Sequence, residues 1–150
     1  MKAGDILLIR RATVDESDDV ASVHRVSKET AMSFLPLLHT PDEDCIFFRT
    51  RVFPSCEVWV ANDDGIVGFI AFRDGWVDHL YVLPNYVRRG YGRALLDKAK
   101  ERNSRLQLWT FQRNLNAIGF YKANGFRLVR ETDGAGNEER EPDALFTWSR

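Results

Sequence analysis

Seven stretches of this chain carry strand patterning and four carry helix patterning, in an order that defines an architecture. Ile6 to Ala12 is mostly apolar and predicts a first strand. Thr13-Val14-Asp15-Glu16 has the form of a capping box, in which the Thr oxygen takes a free backbone N–H while Glu16 reaches back. Ala21, Val23, Val26 and Ala31 continue an apolar face through a helix of about five turns. A second capping box, Thr40-Pro41-Asp42-Glu43, opens another helix, with Pro41 favoured at the first helical position. Ile46, Phe47 and Phe48 supply its apolar face, and Pro54 is expected to end it. Three strands follow: Glu57 to Ala61, Ile66 to Phe72 and Val77 to Val82, joined by turns at Asn62-Asp63-Asp64-Gly65 and Asp74-Gly75. Beyond Pro84 come a glycine-punctuated loop, a helix from Tyr91 to Arg102 and a strand from Leu106 to Thr110. A short helix from Leu115 to Ala123 stops at Asn124-Gly125, and Phe126 to Glu131 and Ala144 to Trp148 form two closing strands. The order β-α-α-β-β-β-α-β-α-β-β predicts an α/β fold with a mixed sheet in one domain spanning residues 1–150.

Composition narrows the class without changing that picture. Hydrophobic residues are 44% and aromatics 12% of the chain, enough for a globular core. The formal net charge is −1, so the basic excess of a nucleic-acid binder is missing. No apolar stretch reaches the length of a bilayer span, and the start MKAGDILLIRR has no apolar signal core, so a membrane is not an expected partner. Cys45 and Cys56 are too few for a disulfide scaffold and read as reduced thiols of a cytoplasmic protein. His24, His39 and His79 are scattered without metal-ligand spacing, so no metal site is expected.

The chemistry begins at Val87-Arg88-Arg89-Gly90-Tyr91-Gly92, between a strand and a helix. A helix start offers unpaired N–H groups and a positive dipole end. Gly90 and Gly92 remove side chains where backbone must approach a ligand, and Arg88, Arg89 and Arg93 add positive charge. The same residues also fit a solvated turn. No Lys-Ser/Thr follows the glycines, and there are two glycines rather than three, so neither a Walker loop nor a dinucleotide fingerprint is present.

His79-Leu80-Tyr81-Val82-Leu83-Pro84, this loop and Arg93-Ala94-Leu95-Leu96 together resemble the acetyl-CoA-binding motif of the GNAT superfamily of N-acetyltransferases, usually Gln/Arg-x-x-Gly-x-Gly/Ala. Asn114 to Phe126 resembles its second motif, Asn-x-x-Ala-x-x-Phe-Tyr-x-x-x-Gly-Phe. The resemblance implies a mostly antiparallel sheet of about seven strands flanked by about four helices, with acetyl-CoA as acyl donor. It also implies that backbone groups of Leu80 and Val82, beside Tyr81, pair with the pantetheine arm. The N–H groups from Val87 to Arg93 would wrap the pyrophosphate, Asn114 would bond the pantetheine, and Tyr121 would point its hydroxyl at the thioester sulfur. Val87 stands where the superfamily usually has Gln or Arg. A contact made through backbone N–H tolerates that change, and a side-chain contact does not.

Acyl transfer to an amine needs a proton removed and a thiolate stabilised. Deprotonating an alkyl ammonium of pKa near 10 at pH 7 costs about 4 kcal/mol, and a neutral Tyr121 suits the general acid. On residues 76–82, strict alternation puts Trp76, Asp78, Leu80 and Val82 on one face. Many superfamily members carry a Glu at the position of Trp76. Asp78 is the nearest carboxylate on that face, either as the base or as a partner for an Arg, with His79 as second candidate on the opposite face and water as the remaining route. The resemblance puts the acceptor between the first two helices and this strand. There Phe34 and Leu35, in the apolar run Met32 to His39, together with Trp76 and His79 are candidate acceptor contacts. The loop 132–143 has four more acidic than basic residues and reads as a solvated hairpin or as an acidic rim attracting a cation.

These readings converge on an acetyl-CoA-dependent transfer to a primary amine of a small molecule or peptide by direct attack in a ternary complex. Cys45 and Cys56 lie outside both motifs, which argues against an acyl-enzyme. A non-catalytic acyl-CoA-binding module is the alternative, and transfer of a longer acyl chain or to a hydroxyl is a third. Edge strands and exposed aromatics permit a homodimer.

Overall fold

Residues 7–150 are described by a computed structural model, and Ile6, expected to open the first strand, lies outside them. The strands are β1 (Leu8–Arg11), β2 (Glu57–Asn62), β3 (Ile66–Arg73), β4 (Trp76–Val82), β5 (Arg105–Phe111), β6 (Arg127–Glu131) and β7 (Asp143–Ser149). They form one sheet in the order β1-β2-β3-β4-β5-β7-β6. Every neighbouring pair is antiparallel except β4 and β5.

That exception positions everything that follows. β4 and β5 are parallel and register at a single pair, Trp76 with Gln107, reinforced by the Gln107 N–H donating to the Gly75 carbonyl at 2.9 Å. Past that point the two strands diverge. β4 keeps its partner β3 up to the Gly68–Val82 pair, so its other edge is open from Asp78 to Val82. Unpaired backbone groups on an edge are ready to accept a further extended chain.

The helices are α1 (Ser17–Ala31), α2 (Pro41–Phe47), α3 (Phe53–Ser55), α4 (Tyr91–Arg102) and α5 (Leu115–Ala123). The second capping box forms in full, with Glu43 N–H on the Thr40 hydroxyl at 3.1 Å and Thr40 N–H on the Glu43 carboxylate at 2.9 Å. The first closes through Thr13 N–H on Glu16 at 3.1 Å, but a 3-10 turn over Val14–Glu16 precedes α1, so the helix is four turns long rather than five. Pro54 does not end its helix as expected. The helix widens to a π turn over Phe48–Val52, with Phe53 N–H reaching the Phe48 carbonyl, and takes the proline into the final turn α3.

Two apolar clusters fill the two faces of the sheet. Leu95 and Leu96 of α4 pack with Leu106, Leu108, Phe126 and Phe146 on one face. Val20 and Val23 of α1 pack with Phe48, Val58, Val60 and Phe69 on the other. Each fully buried side chain of this size contributes about 1.5–3 kcal/mol. The buried stripe of α1 is Ser17, Val20, Ala21, Val23 and Ser27, so Val26 and Ala31 lie outside it, and Ile46 and Phe47 are exposed beside buried Phe48. One turn cannot bury three consecutive residues against a single surface.

Candidate functional site

A groove of about 470 Å³ runs along the open edge of β4 to the start of α4. Its floor includes Leu80, Tyr81 and Val82, and one end is built by Val87, Arg88, Gly90, Gly92 and Arg93. The loop turns sharply through left-handed backbone at Arg88 (φ 63°) and Gly90 (φ 91°). Gly90 is the residue before the first turn of α4, whose carbonyl accepts from Ala94 N–H at 3.0 Å. The remaining N–H groups of that turn face the loop as an anion site. Gly92 also packs closely, because a Cβ there would stand 3.3 Å from the Phe120 ring and the ring would have to give by a few tenths of an ångström.

The two other candidates in the loop turn elsewhere. Arg89 places its guanidinium 5.1 Å from the Tyr86 ring centroid, and the Tyr91 side chain is buried in the core. Neither side chain lines the groove. Val87 does line it and is exposed.

Asn114 and Tyr121 form the other end. The Asn114 Oδ1 accepts from Ala117 N–H at 3.3 Å and so caps α5, which leaves its amide N–H₂ available to the groove. Tyr121, about two helical turns beyond, lines both the groove and a cleft of about 80 Å³ between β4 and β5. Burial, with Tyr81 adding, pushes its phenol well above the ordinary value. Tyr81 itself is pushed up to about 12 by burial, with the negative charge of Glu139 adding. Both hydroxyls therefore keep their protons at neutral pH.

The opposite wall comes from α1, through Ser27, Ala31 and Met32. Nothing in the motifs pointed to these three. Ser27 Oγ is buried without a hydrogen-bond partner among the described residues. A buried Ser in an apolar stripe is the one sequence signal that could have marked this wall.

A second basin, of about 310 Å³, lies on the far side of α1 between that helix, the 33–39 loop and the β6–β7 hairpin. Leu35 lines it, and the acidic loop reaches it through Glu138 and Glu139. His39 Nε2 meets Glu138 Oε1 at 2.5 Å across the rim. Phe34 instead lies under the Arg113 guanidinium, 4.2 Å from its ring centroid, where Arg113 is held by Glu141 at 2.7 Å.

The face assignment of β4 needs correction. Ala71 pairs with His79 and Phe72 with Val77, so Asp78 is an extra residue in a β-bulge. The bulge flips the alternation: Leu80 and Val82 share a cluster with Val77, not with Asp78 or Trp76. Asp78 is exposed and accepts from Arg73 Nε at 2.7 Å. The same arginine lies 5.6 Å from the Trp76 ring centroid. Trp76 thus belongs to the β3–β4 hairpin end, while Asp78, partnered by Arg73, still lines the cleft of about 80 Å³ together with His79 and Tyr121.

His79 points into an aromatic cage under the second basin. His24 stands 5.5 Å from it and Phe48 5.3 Å, between ring centroids, with Tyr81 4.9 Å from His24. Burial lowers His79 to about 4, and burial with the charges of His79, Lys28 and Arg25 lowers His24 to about 3. Both imidazoles are neutral at pH 7, and His24 Nδ1 has no partner among the described residues.

Both cysteines are free thiols outside the groove. Burial raises Cys56 to about 11, with Asp78 opposing its ionisation, and burial raises Cys45 as well. A thiol held protonated is a poor nucleophile. Among the described residues no helix is long and apolar enough to cross a membrane.

Known proteins resemble this chain in sequence and in fold. A family model described as "Acetyltransferase (GNAT) domain" matches residues 54–128. The peptidyl-lysine N-acetyltransferase YiaC of Escherichia coli (strain K12) is 35% identical over 109 residues, covering 70% of this chain and 73% of that one. The solution structure of apo-form YjaB from Escherichia coli superposes with a TM-score of 0.78 at 23% identity, over 96% of this chain and 98% of that one. The PaiA N-acetyltransferase of Thermoplasma acidophilum, solved in complex with coenzyme A, gives 0.77 at 16% identity, over 97% and 100%.

Proposed function

This chain belongs to the GNAT acetyltransferase family, and from that premise we propose that it moves an acetyl group from acetyl-CoA to the side-chain amine of a lysine in a peptide. The observation that carries the reading is the groove itself: an open strand edge, a helix start with left-handed Gly90, and Tyr121 at the far end, in one continuous channel. An extended pantetheine would pair with the free edge at Leu80 to Val82. The pyrophosphate would sit on the N–H groups between Val87 and Arg93, with Arg88 and Arg93 opposing its charge. That arrangement asks nothing of the Val87 side chain. The solved relative that holds coenzyme A shares this fold, which supports the same donor here.

In the reaction the lysine nitrogen attacks the thioester carbonyl, the C–N bond forms, and the C–S bond breaks as the thiolate leaves. Tyr121 donates a hydrogen bond to the sulfur. Asp78, held by Arg73, and His79, lowered to about 4 by burial, both line the cleft with Tyr121. The lysine ammonium loses one proton to solvent before it attacks, and the proton released as the amide forms leaves through water past these two side chains. Glu138 and Glu139 draw the ammonium to the basin rim. With both thiols protonated, attack is direct in a ternary complex, without an acyl-cysteine.

Incubation with acetyl-CoA and a panel of lysine peptides, small amines and alcohols, read by thiol release and mass spectrometry, tests this. Acetylation at the lysine Nε is the expected result, and transfer confined to small amines would refute the peptide assignment. The committed state of Asp78 favours a second reading, a binder without turnover. Tight acetyl-CoA binding with silence across the whole panel would select it.

Gly90→Val probes the donor site separately. A β-branched residue disfavours φ 91°, so the free loop would relax and binding would have to restore the strained turn. That penalty of about 1–3 kcal/mol predicts acetyl-CoA affinity weakened roughly 5- to 150-fold by calorimetry. Unaltered affinity would show that the left-handed turn is not needed for the donor.

A further inference from the structure

The cofactor groove, the acceptor basin and the cleft between β4 and β5 are three separate cavities, and one side chain lines all of them: Met32. Between groove and basin it is the sole shared residue among those lining them. Its backbone is anchored on both sides. Met32 N–H donates to the Lys28 carbonyl at 2.8 Å as α1 ends, and its own carbonyl accepts from Leu35 N–H at 3.1 Å. The side chain is 4% exposed. A single unbranched thioether therefore forms the wall between about 470 Å³ on the donor side and about 310 Å³ on the acceptor side.

Tyr121 and Asn114 line the groove and the cleft together with Met32, which places the reacting end of the donor against that wall. The cleft ahead of it is only about 80 Å³. From this convergence we propose that Met32 sets the acyl-chain length of the donor by closing the groove against the acceptor basin. The inference rests on the acyl-CoA reading of the groove and adds its specificity. A two-carbon acyl group ends before the thioether. A longer chain would have to displace it, and beyond it lies apolar room beside Leu35 that a shortened residue 32 would open. Adding or removing one methylene in an apolar pocket changes discrimination roughly 10- to 200-fold, so this wall is strong enough to decide between donors.

The test is calorimetry with free CoA, acetyl-CoA, butyryl-CoA and hexanoyl-CoA on the wild type, Met32→Ala, Met32→Val and Met32→Leu. It needs no acceptor. The wild type is expected to prefer acetyl-CoA. In Met32→Ala the ratio of hexanoyl-CoA to acetyl-CoA affinity should rise by roughly 10-fold or more, with Met32→Val intermediate and Met32→Leu close to the wild type, each affinity being referred to the same variant's affinity for free CoA. Should Met32→Ala fail to fold in a thermal scan, Met32→Val carries the comparison. A chain-length ratio that stays constant in a folded Met32→Ala or Met32→Val protein overturns the proposal while leaving the acetyl-CoA reading standing. A folded wild type that binds no acyl-CoA overturns both.

Discussion

Tyr121→Phe is expected to lower turnover by roughly 10- to 1000-fold with little change in acetyl-CoA affinity. The phenol is buried at the end of the groove and its pKa lies above the ordinary value, so it holds its proton at every practical pH. Full transfer of that proton to a thiolate, whose conjugate thiol has a pKa of about 8.5, runs uphill. In the proposed reaction Tyr121 therefore acts by donating a hydrogen bond to the charge that grows on sulfur as the C–S bond breaks. A donor of this kind contributes only in the transition state, which is why the effect belongs in kcat and not in donor binding. Because a thiolate is already a good leaving group, the lower part of the range is favoured. The pH profile offers a second readout: turnover should not fall near pH 10, where an ordinary phenol would ionise. An unchanged rate for the variant removes Tyr121 from the mechanism.

The second large effect is on stability. Its cause is the pair of neutral imidazoles, His24 and His79, inside the aromatic cage. Their folded pKa values, about 3 and about 4, lie below the ordinary 6.5. The unfolded chain therefore binds protons first as pH falls. Stability is full above the unfolded value and is lost between pH 6.5 and 4, flattening once the folded imidazoles also titrate. His79 alone accounts for a loss of about 3 kcal/mol across that window, and His24 adds to it. Lys28 and Arg25 oppose protonation of His24, while Asp78 favours that of His79. The carboxylates held down by Arg10 and Arg113, Glu16 and Glu141, lose their contribution lower, below the ordinary 4.5. Melting temperature measured from pH 8 to 4 should fall below pH 6.5, and His79→Phe should flatten the slope. A melting temperature constant from pH 7 to 4.5 would contradict the account.

Much of this molecule was legible before folding because its signals are local. The Thr40–Glu43 box, the helix limits at Tyr91–Arg102 and Leu115–Ala123 and the left-handed Gly125 depend on residues within one turn of each other. Both acetyltransferase motifs lie in such segments, and so the phosphate loop, Asn114 and Tyr121 could be named from the chain alone. Asp78 could not be placed. Period-two alternation assumes one residue per rung, and the bulge that breaks it arises from how β4 pairs with β3. The cage around His24 and His79 was equally hidden, because it joins α1, the π turn and β4 across the sheet face.

The sequence by itself determined the order of elements, the glycine-punctuated turn into α4 and the family, since each is written in short-range spacing. Tertiary structure alone decided the divergence of β4 from β5, the pairing of Asp78 with Arg73, and the position of Met32 where three cavities meet. Those features depend on contacts between residues far apart in the chain, and such contacts exist only once the helices have packed on the sheet.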